Sequence, residues 1–379
     1  MADHFTETTH TSWFGRLGDS FKGIAFGIIF FLVGIVLIWI NEGSSVKRMD
    51  TIEDGLKVVV SVPASPINKE HNQKLIHTSG MLETNAVLKD LLFGVGEKAI
   101  HLKRSVEMYQ WHEHVNSNST TNSTGSSTQK TTYVYEKKWS TYSISSERFK
   151  HPEGHTNVGT IPYQSKEVAS PSVTLGSFTL GPAFRKKLEA TDPYYLSQKN
   201  FDAMEPALQK SFKLHDGMYW RGNPGNPQIG DIRIHYKILT PMEATLVGKQ
   251  RSDRVGLYHA KKGEIALLNF GLFSAEDMFT MEIDKNRFET WAMRGIGLLL
   301  VWIGLCLILK PLSVLGDAIP FFGSILSGGI FVISILLALS ISLSVMSIAW
   351  LYHRPLMSAT LLCVTFVSLF LIMKNRKEG

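Results

Sequence analysis

Hydrophobic residues gather at the two ends of the chain. One apolar run covers Gly23–Ile40 (GIAFGIIFFLVGIVLIWI), and three more follow near the C-terminus: Gly295–Leu309, Gly328–Leu351 and Pro355–Met373. Runs of about 20 apolar residues match the hydrocarbon thickness of a bilayer when helical. Mostly polar sequence separates the first run from the second. The pattern predicts four helical spans with a large water-exposed domain inserted between spans one and two. The expected divisions are an amphipathic N-terminal segment (1–22), span 1 (23–40), a domain (45–290), span 2 (292–309), an interfacial loop (310–327), span 3 (328–351), span 4 (355–373) and a basic tail (374–379).

The polar part reads largely as β. Leu56–Val62 is short and β-branched; Lys74–His77, Ser105–Trp111 and Thr131–Tyr135 have alternating or aromatic character. Ser172–Leu180 and Ile232–Leu239 alternate cleanly, and Ala244–Val247 and Glu264–Asn269 follow the same logic. Helical pieces are expected at Pro182–Ala190, Asn200–Ser211 and Ser274–Asp284. Gly222–Pro227 is a turn cluster, and the Asn/Ser/Thr-rich stretch Asn116–Thr128 reads as a flexible loop. The expected fold class is therefore four integral membrane α-helical spans plus a β-rich α+β extracytoplasmic domain.

Charge bears on orientation. Arg16 and Lys22 precede the first span, and Lys374, Arg376 and Lys377 follow the last. The positive-inside rule puts both termini in the cytoplasm and the domain in the lumen or periplasm. Lys47, Arg48, Arg287 and Arg294 oppose that reading. The net charge of +6 comes without a long basic stripe, so nucleic acid is not an expected partner. The two cysteines, Cys306 and Cys363, both fall in expected spans, which excludes a disulfide framework or a cysteine–zinc site in the domain.

Catalytic motifs are absent: the chain has neither a Gly-x-Ser-x-Gly elbow nor a P-loop. No cofactor is expected. His112 and His114 are the most metal-like pair, since alternate residues of a strand share a face. His101 or His155 would have to complete the ligand set; surface histidines at a strand end are the simpler reading. Glu276, Asp277, Glu282 and Asp284 read as the solvated face of a helix rather than a Ca²⁺ site. The apolar cores of the spans carry no Asp, Glu, Lys or Arg, which argues against an ion-coupled transporter. Gly23 with Gly27, and Ser340, Ser344 and Ser347, lie at helical spacing and are candidates for close helix packing. Trp350, Tyr352 and Arg354 form a candidate interfacial anchor.

Several short motifs carry a family resemblance. Asn41-Glu42-Gly43 after the first span, Val106–Trp111 (VEMYQW), Pro227–Ile234 (PQIGDIRI), Phe273–Phe279 (FSAEDMF) and Trp350–Leu356 (WLYHRPL) together resemble the LUMA, or transmembrane protein 43, family. The resemblance runs from about residue 13 to the end of the last span, and the terse, Gly-rich N-terminus is similar to bacterial members. It implies a membrane-organising protein that self-associates and binds the bilayer and partner proteins, lamin- and emerin-like in a eukaryote. The implied location is the endoplasmic reticulum and inner nuclear membrane, or the bacterial inner membrane with a periplasmic domain. A lipid-binding or lipid-metabolism protein is the alternative, and a metal-dependent hydrolase on His112 and His114 a third. The family supplies no catalytic residues to carry over.

Overall fold

The computed structural model describes residues 3–121, 126–316, 322–353 and 355. The chain opens with strand β1 (Asp3–Thr11) and helix α1 (Trp13–Val58). There follow β2 (Val60–Ser61), β3 (Leu75–Glu83), β4 (Val87–Asp90), β5 (Val95–Lys98), β6 (His101–Thr121), β7 (Ser127–Ser140), β8 (Lys166–Ala169), β9 (Thr174–Leu175) and β10 (Phe178–Leu180). Helix α2 (Pro182–Arg185), β11 (Asp192–Tyr194), α3 (Gln198–Asp202), α4 (Pro206–Gln209), β12 (Lys213–His215), β13 (Met218–Arg221) and β14 (Ile232–Leu239) come next. The last elements are β15 (Met242–Arg251), β16 (Arg254–Gly256), β17 (Tyr258–His259), β18 (Glu264–Ile265), β19 (Leu267–Phe270), α5 (Ala275–Gly316) and α6 (Phe322–His353).

Three helices, Trp13–Val58, Ala275–Leu315 and Gly329–His353, are long and apolar enough to cross a membrane. The expected fourth span, 355–373, lies outside the described residues beyond its first position, as do Arg354 and the basic tail. Helix α1 contains 46 residues, about 69 Å at 1.5 Å per residue, more than twice the hydrocarbon thickness. Helices α1 and α5 therefore continue well past their apolar windows and carry the β-rich domain on a two-helix stalk. This corrects the expected strand at Leu56–Val62: residues 56–58 end α1, and only Val60 and Ser61 pair as β2. The expected loop 310–327 is also largely helical, because α5 runs through Pro311 to Gly316 and α6 begins at Phe322.

The domain contains two main sheets. One has the order β1-β7-β6-β14-β13-β12, with β11 on β14 and β8 on β6. In the other, β15, β16, β10, β9 and β3 pair in a circuit that returns to β15. Gly248 on β15 makes room there: a Cβ would lie 2.6 Å from the ring of Phe184, which fills the core with Leu175, Phe178 and Leu246. Beneath the first sheet, Val106, Met108, Tyr219, Ile234 and Tyr236 pack with Phe93, Met204 and Phe212. A buried ion pair crosses this core: Arg104 meets Asp90 at 2.5 Å, and the Tyr236 hydroxyl donates to the same carboxylate at 2.8 Å. A third cluster, Ile52, Leu75, Val247, Ile265 and Phe279, joins the domain to α1 and α5.

Residues 116–121 and 127–128, expected as loop, are instead the outer end of a long antiparallel ribbon of β6 and β7. Residues 3–11, expected in an amphipathic segment, add a third strand on β7, from Asp3 opposite Tyr135 to Thr11 opposite Ser127. Threonines favour both findings: Thr6, Thr8, Thr9 and Thr11 in β1 and Thr120, Thr121, Thr128, Thr131 and Thr132 in the ribbon are β-branched and suit a pleated surface. The ribbon tip reaches the far end of the stalk, where Ser119 and Gln129 line a hollow with Arg16, Asp19 and Lys310.

Candidate interfacial site: the Glu42–Arg294–Trp350 clamp

The α1–α5 contact changes character along its length. In the apolar windows it is built on glycine. A Cβ on Gly27 would lie 2.9 Å from the Gly304 carbonyl, and one on Gly34 would lie 2.8 Å from the Gly297 carbonyl. Gly297 and Gly304 are equally hemmed in by Ile38 and by the backbone of Phe31. The expected partner of Gly27, Gly23, makes only ordinary contact, 3.9 Å from Leu307. Close approach therefore runs at seven-residue spacing on both helices, which a search for four-residue pairs misses.

Beyond Ile40 the same faces turn polar. Glu282, Asn286, Thr290 and Arg294 succeed one another at four-residue steps on α5, so they form one stripe. Arg48 pairs with Glu282 at 2.5 Å, the Asn286 amide donates to the Ser45 carbonyl at 3.2 Å, and the Asn41 amide donates to the Thr290 carbonyl at 3.1 Å. Arg294 holds Glu42 with two hydrogen bonds of 2.6 and 2.8 Å, a fork that suits guanidinium and carboxylate geometry. Glu42 is 2 % exposed. Trp350 of α6 donates its indole N–H to the other side of the pair, 2.8 Å from Glu42 Oε2. Arg294 also stands over the rings of Trp291 at 4.7 Å and Trp350 at 5.8 Å.

Each residue of Asn41-Glu42-Gly43 thus holds a different contact. Asn41 ties α1 to α5, Glu42 ties α1 to α5 and α6, and Gly43 leaves room for His353, whose Nε2 would lie 2.7 Å from a Cβ there. Trp350, one of the three residues of the expected anchor, is a clamp member. Tyr352 is largely exposed, its ring tilted at 41° to that of Trp39 with 5.8 Å between centroids. The sequence marks Glu42 only as part of the family motif, not as the partner of a cation. The signal for that pairing was present: a carboxylate two residues past the first apolar run needs a cation, and Arg294 directly precedes the apolar run Gly295–Leu309.

On α6 the side chains at Ser334, Ala338, Ser342 and Ala349 are buried. Ser340, Ser344 and Ser347 lie on the exposed side, each returning its hydroxyl to the carbonyl four residues back at 2.8 Å. The helix therefore has two stripes of small residues, and the three serines do not serve the contacts with α1 and α5.

His112 and His114 remain neighbours on one face of the ribbon. His114 pairs with Glu136 at 2.5 Å, and Lys138 bonds the same carboxylate. Burial, then the charges of Lys138 and His114, hold the His112 imidazole below its ordinary value. The other two histidines do not complete a ligand set. His155 lies on the opposite face, stacked on Tyr135 at 4.0 Å and bonded to Asp3 at 3.1 Å, and His101 is at the far end of β6. Among the described residues no group of three His, Cys, Asp or Glu could hold a metal ion. Of the acidic cluster, Glu282 serves Arg48, Asp284 pairs with Arg287 at 3.3 Å, and Asp277 accepts the Ser274 hydroxyl at 2.6 Å in a cap at the start of α5.

A family profile described as Transmembrane protein 43 matches residues 108–355. The rat protein named Transmembrane protein 43 is 31% identical over 368 residues, covering 94% of this chain and 90% of its own length. The human protein is 30% identical over 353 residues (90% and 87%), and a fruit-fly protein named Transmembrane protein 43 homolog is 27% identical over 350 (89% and 90%). No solved structure matches. The profile covers most of β6, all of β7, and both α5 and α6 with the clamp residues Arg294 and Trp350, and the rat relative covers 94% of the chain; the chain belongs to the transmembrane protein 43 family.

Proposed function

We propose that this membrane protein organises the bilayer around it by associating with further copies of itself and with partner proteins. One observation carries the reading: the stripe Ser340, Ser344 and Ser347 stays exposed after α1, α5 and α6 have packed. Small residues on a lipid-facing helix surface permit close approach of another helix. Cross-linking of the chain in membranes tests it. Oligomers that disappear with Ser344→Leu support self-association; monomer alone, before and after the change, ends it.

In this reading four spans hold the chain, with the domain between the first two on the extracytoplasmic side. In a eukaryotic cell the membrane is that of the endoplasmic reticulum and inner nuclear envelope, with lamin- and emerin-like partners; in a bacterium it is the inner membrane. The orientation has a physical condition. With α1 across the bilayer, β1 and the domain stand on opposite sides, so β1 has to leave β7 and the ribbon tip has to leave Arg16 and Lys310. Hydrocarbon does not accommodate an exposed polar strand edge.

A second reading, lipid handling, is favoured by α5. Met281, Phe288 and Trp291 are exposed at the base of the stalk, Phe288 at 75% and Trp291 at 69%, continuing the apolar surface above the span. Mass spectrometry of lipids retained by the full-length chain tests this. A defined lipid near one per chain supports it, and bulk lipid alone counts against it.

A further inference from the structure

A hollow of about 510 Å³ opens between the β8 edge of the larger sheet and α2. His101 lies at its floor, 8% exposed. The Ala190 backbone N–H donates to His101 Nδ1 at 3.0 Å, so that nitrogen is an acceptor and the ring proton sits on Nε2. Glu167 Oε2 stands 3.9 Å from Nε2, beyond hydrogen-bond reach. The ring thus presents its Nε2–H in a fixed direction, and that N–H has no hydrogen-bond acceptor among the described residues.

The charges around the hollow are uneven. Lys103 and Glu167 compensate each other at 2.6 Å. That leaves Arg185 and Lys186 facing Glu189. Arg185 spends one guanidinium nitrogen on the Pro171 carbonyl at 2.9 Å, which steadies it and leaves its other donors. A second hollow of about 390 Å³ lies on the other side of α2, shares Lys186, adds Arg251 and has no carboxylate in its lining. Pro182 and Leu188 give the first hollow an apolar side.

We propose that this hollow binds an organic phosphate. His101 Nε2–H donates to one phosphate oxygen, Arg185 and Lys186 hold the others, and the organic body rests on Pro182 and Leu188. Three donors on separate side chains suit a tetrahedral anion with several acceptor oxygens. A soluble phosphate ester and a lipid headgroup share this chemistry. Lys187, next in the chain, donates to the Ala266 carbonyl at 2.5 Å and feels the charges of Glu282, Lys285 and Arg48, so the hollow lies beside the stalk.

The test is titration of the detergent-solubilised full-length chain with glycerol 3-phosphate and, separately, with a short-chain phosphatidic acid. Both are repeated on Arg185→Glu/Lys186→Glu, whose side chains are exposed, and on His101→Phe. Lys199→Glu/Lys210→Glu carries the same charge change away from the hollow. The expected result is binding that weakens at least about tenfold in the first two variants and holds in the third. Binding of glycerol 3-phosphate identifies a free ester; binding of the phosphatidic acid alone identifies a headgroup. Neither probe binding, or equal weakening by the Lys199/Lys210 change, overturns the proposal. If His101→Phe does not fold, the Arg185/Lys186 variant decides.

Discussion

Trp350 donates its indole N–H to Glu42 at 2.8 Å, and that one bond ties the third described membrane helix to an ion pair between the first two. Glu42 is surrounded by the groups that need it. Removing its charge leaves Arg294 buried without a counter-ion. Glu42→Gln is expected to cost about 3–5 kcal/mol, the usual penalty for breaking a buried pair. Denaturation of the solubilised protein, followed by tryptophan fluorescence, reads it. The double change Glu42→Gln/Arg294→Met should recover part of the loss, since it removes the stranded charge as well. A double variant as unstable as the sum of the singles would deny the coupling.

The two glycine pairs set how near α1 and α5 approach. Gly34→Leu forces a side chain into the Gly297 carbonyl, 2.8 Å from its Cβ, and should loosen the stalk, lowering stability by about 1–3 kcal/mol as overpacking does. Gly23→Leu, with 3.9 Å to its neighbour, should change stability by less than about 1 kcal/mol. Thermal unfolding of the two variants side by side distinguishes them, and equal losses would refute the seven-residue packing.

The ribbon should respond to pH through His112. Its imidazole is held below the ordinary value in the folded chain, so the unfolded chain binds the proton first. Stability is then fully present above about pH 6.5 and falls as pH drops from there towards the folded value. His112→Gln should flatten that slope. Amide exchange of residues 108–116 across this range is the measurement; an unchanged slope would exclude His112 as its source.

Strand β1 offers a test of whether α1 crosses the bilayer. Thr9 is opposite Gln129, close enough for a cysteine pair to bridge. In a background lacking the native thiols, Thr9→Cys/Gln129→Cys should cross-link readily in detergent. In a sealed bilayer the bridge should fail, because the N-terminal segment and the ribbon then lie on opposite faces. Cross-linking that persists in the bilayer would place both on one side and overturn the reading of α1 as a membrane-crossing helix.

The hydrophobic runs and the strand periodicity were legible from residue order alone. Apolar windows mark helices because hydrocarbon length and helical rise are fixed, and β14 occupies Ile232–Leu239, the stretch whose alternation is cleanest. Five short motifs together, from Asn41–Gly43 to Trp350–Leu356, carried the family resemblance that the comparisons bear out. What order could not decide were contacts between distant segments. Glu42 and Arg294 are 252 residues apart, and Asp3 and His155 are 152 apart. Both serine stripes of α6 have the same local chemistry, so only the placement of α1 and α5 separates the buried Ser334 and Ser342 from the exposed Ser340, Ser344 and Ser347. The ends of α1 and α5 likewise follow from docking: past the apolar window, helix is kept by the polar stripe on the facing helix, which a one-dimensional reading does not contain. Sequence determined which segments are helix, strand and membrane-suited, because those depend on near neighbours; the clamp, the ribbon and the hollow at His101 exist only once the chain has folded back on itself.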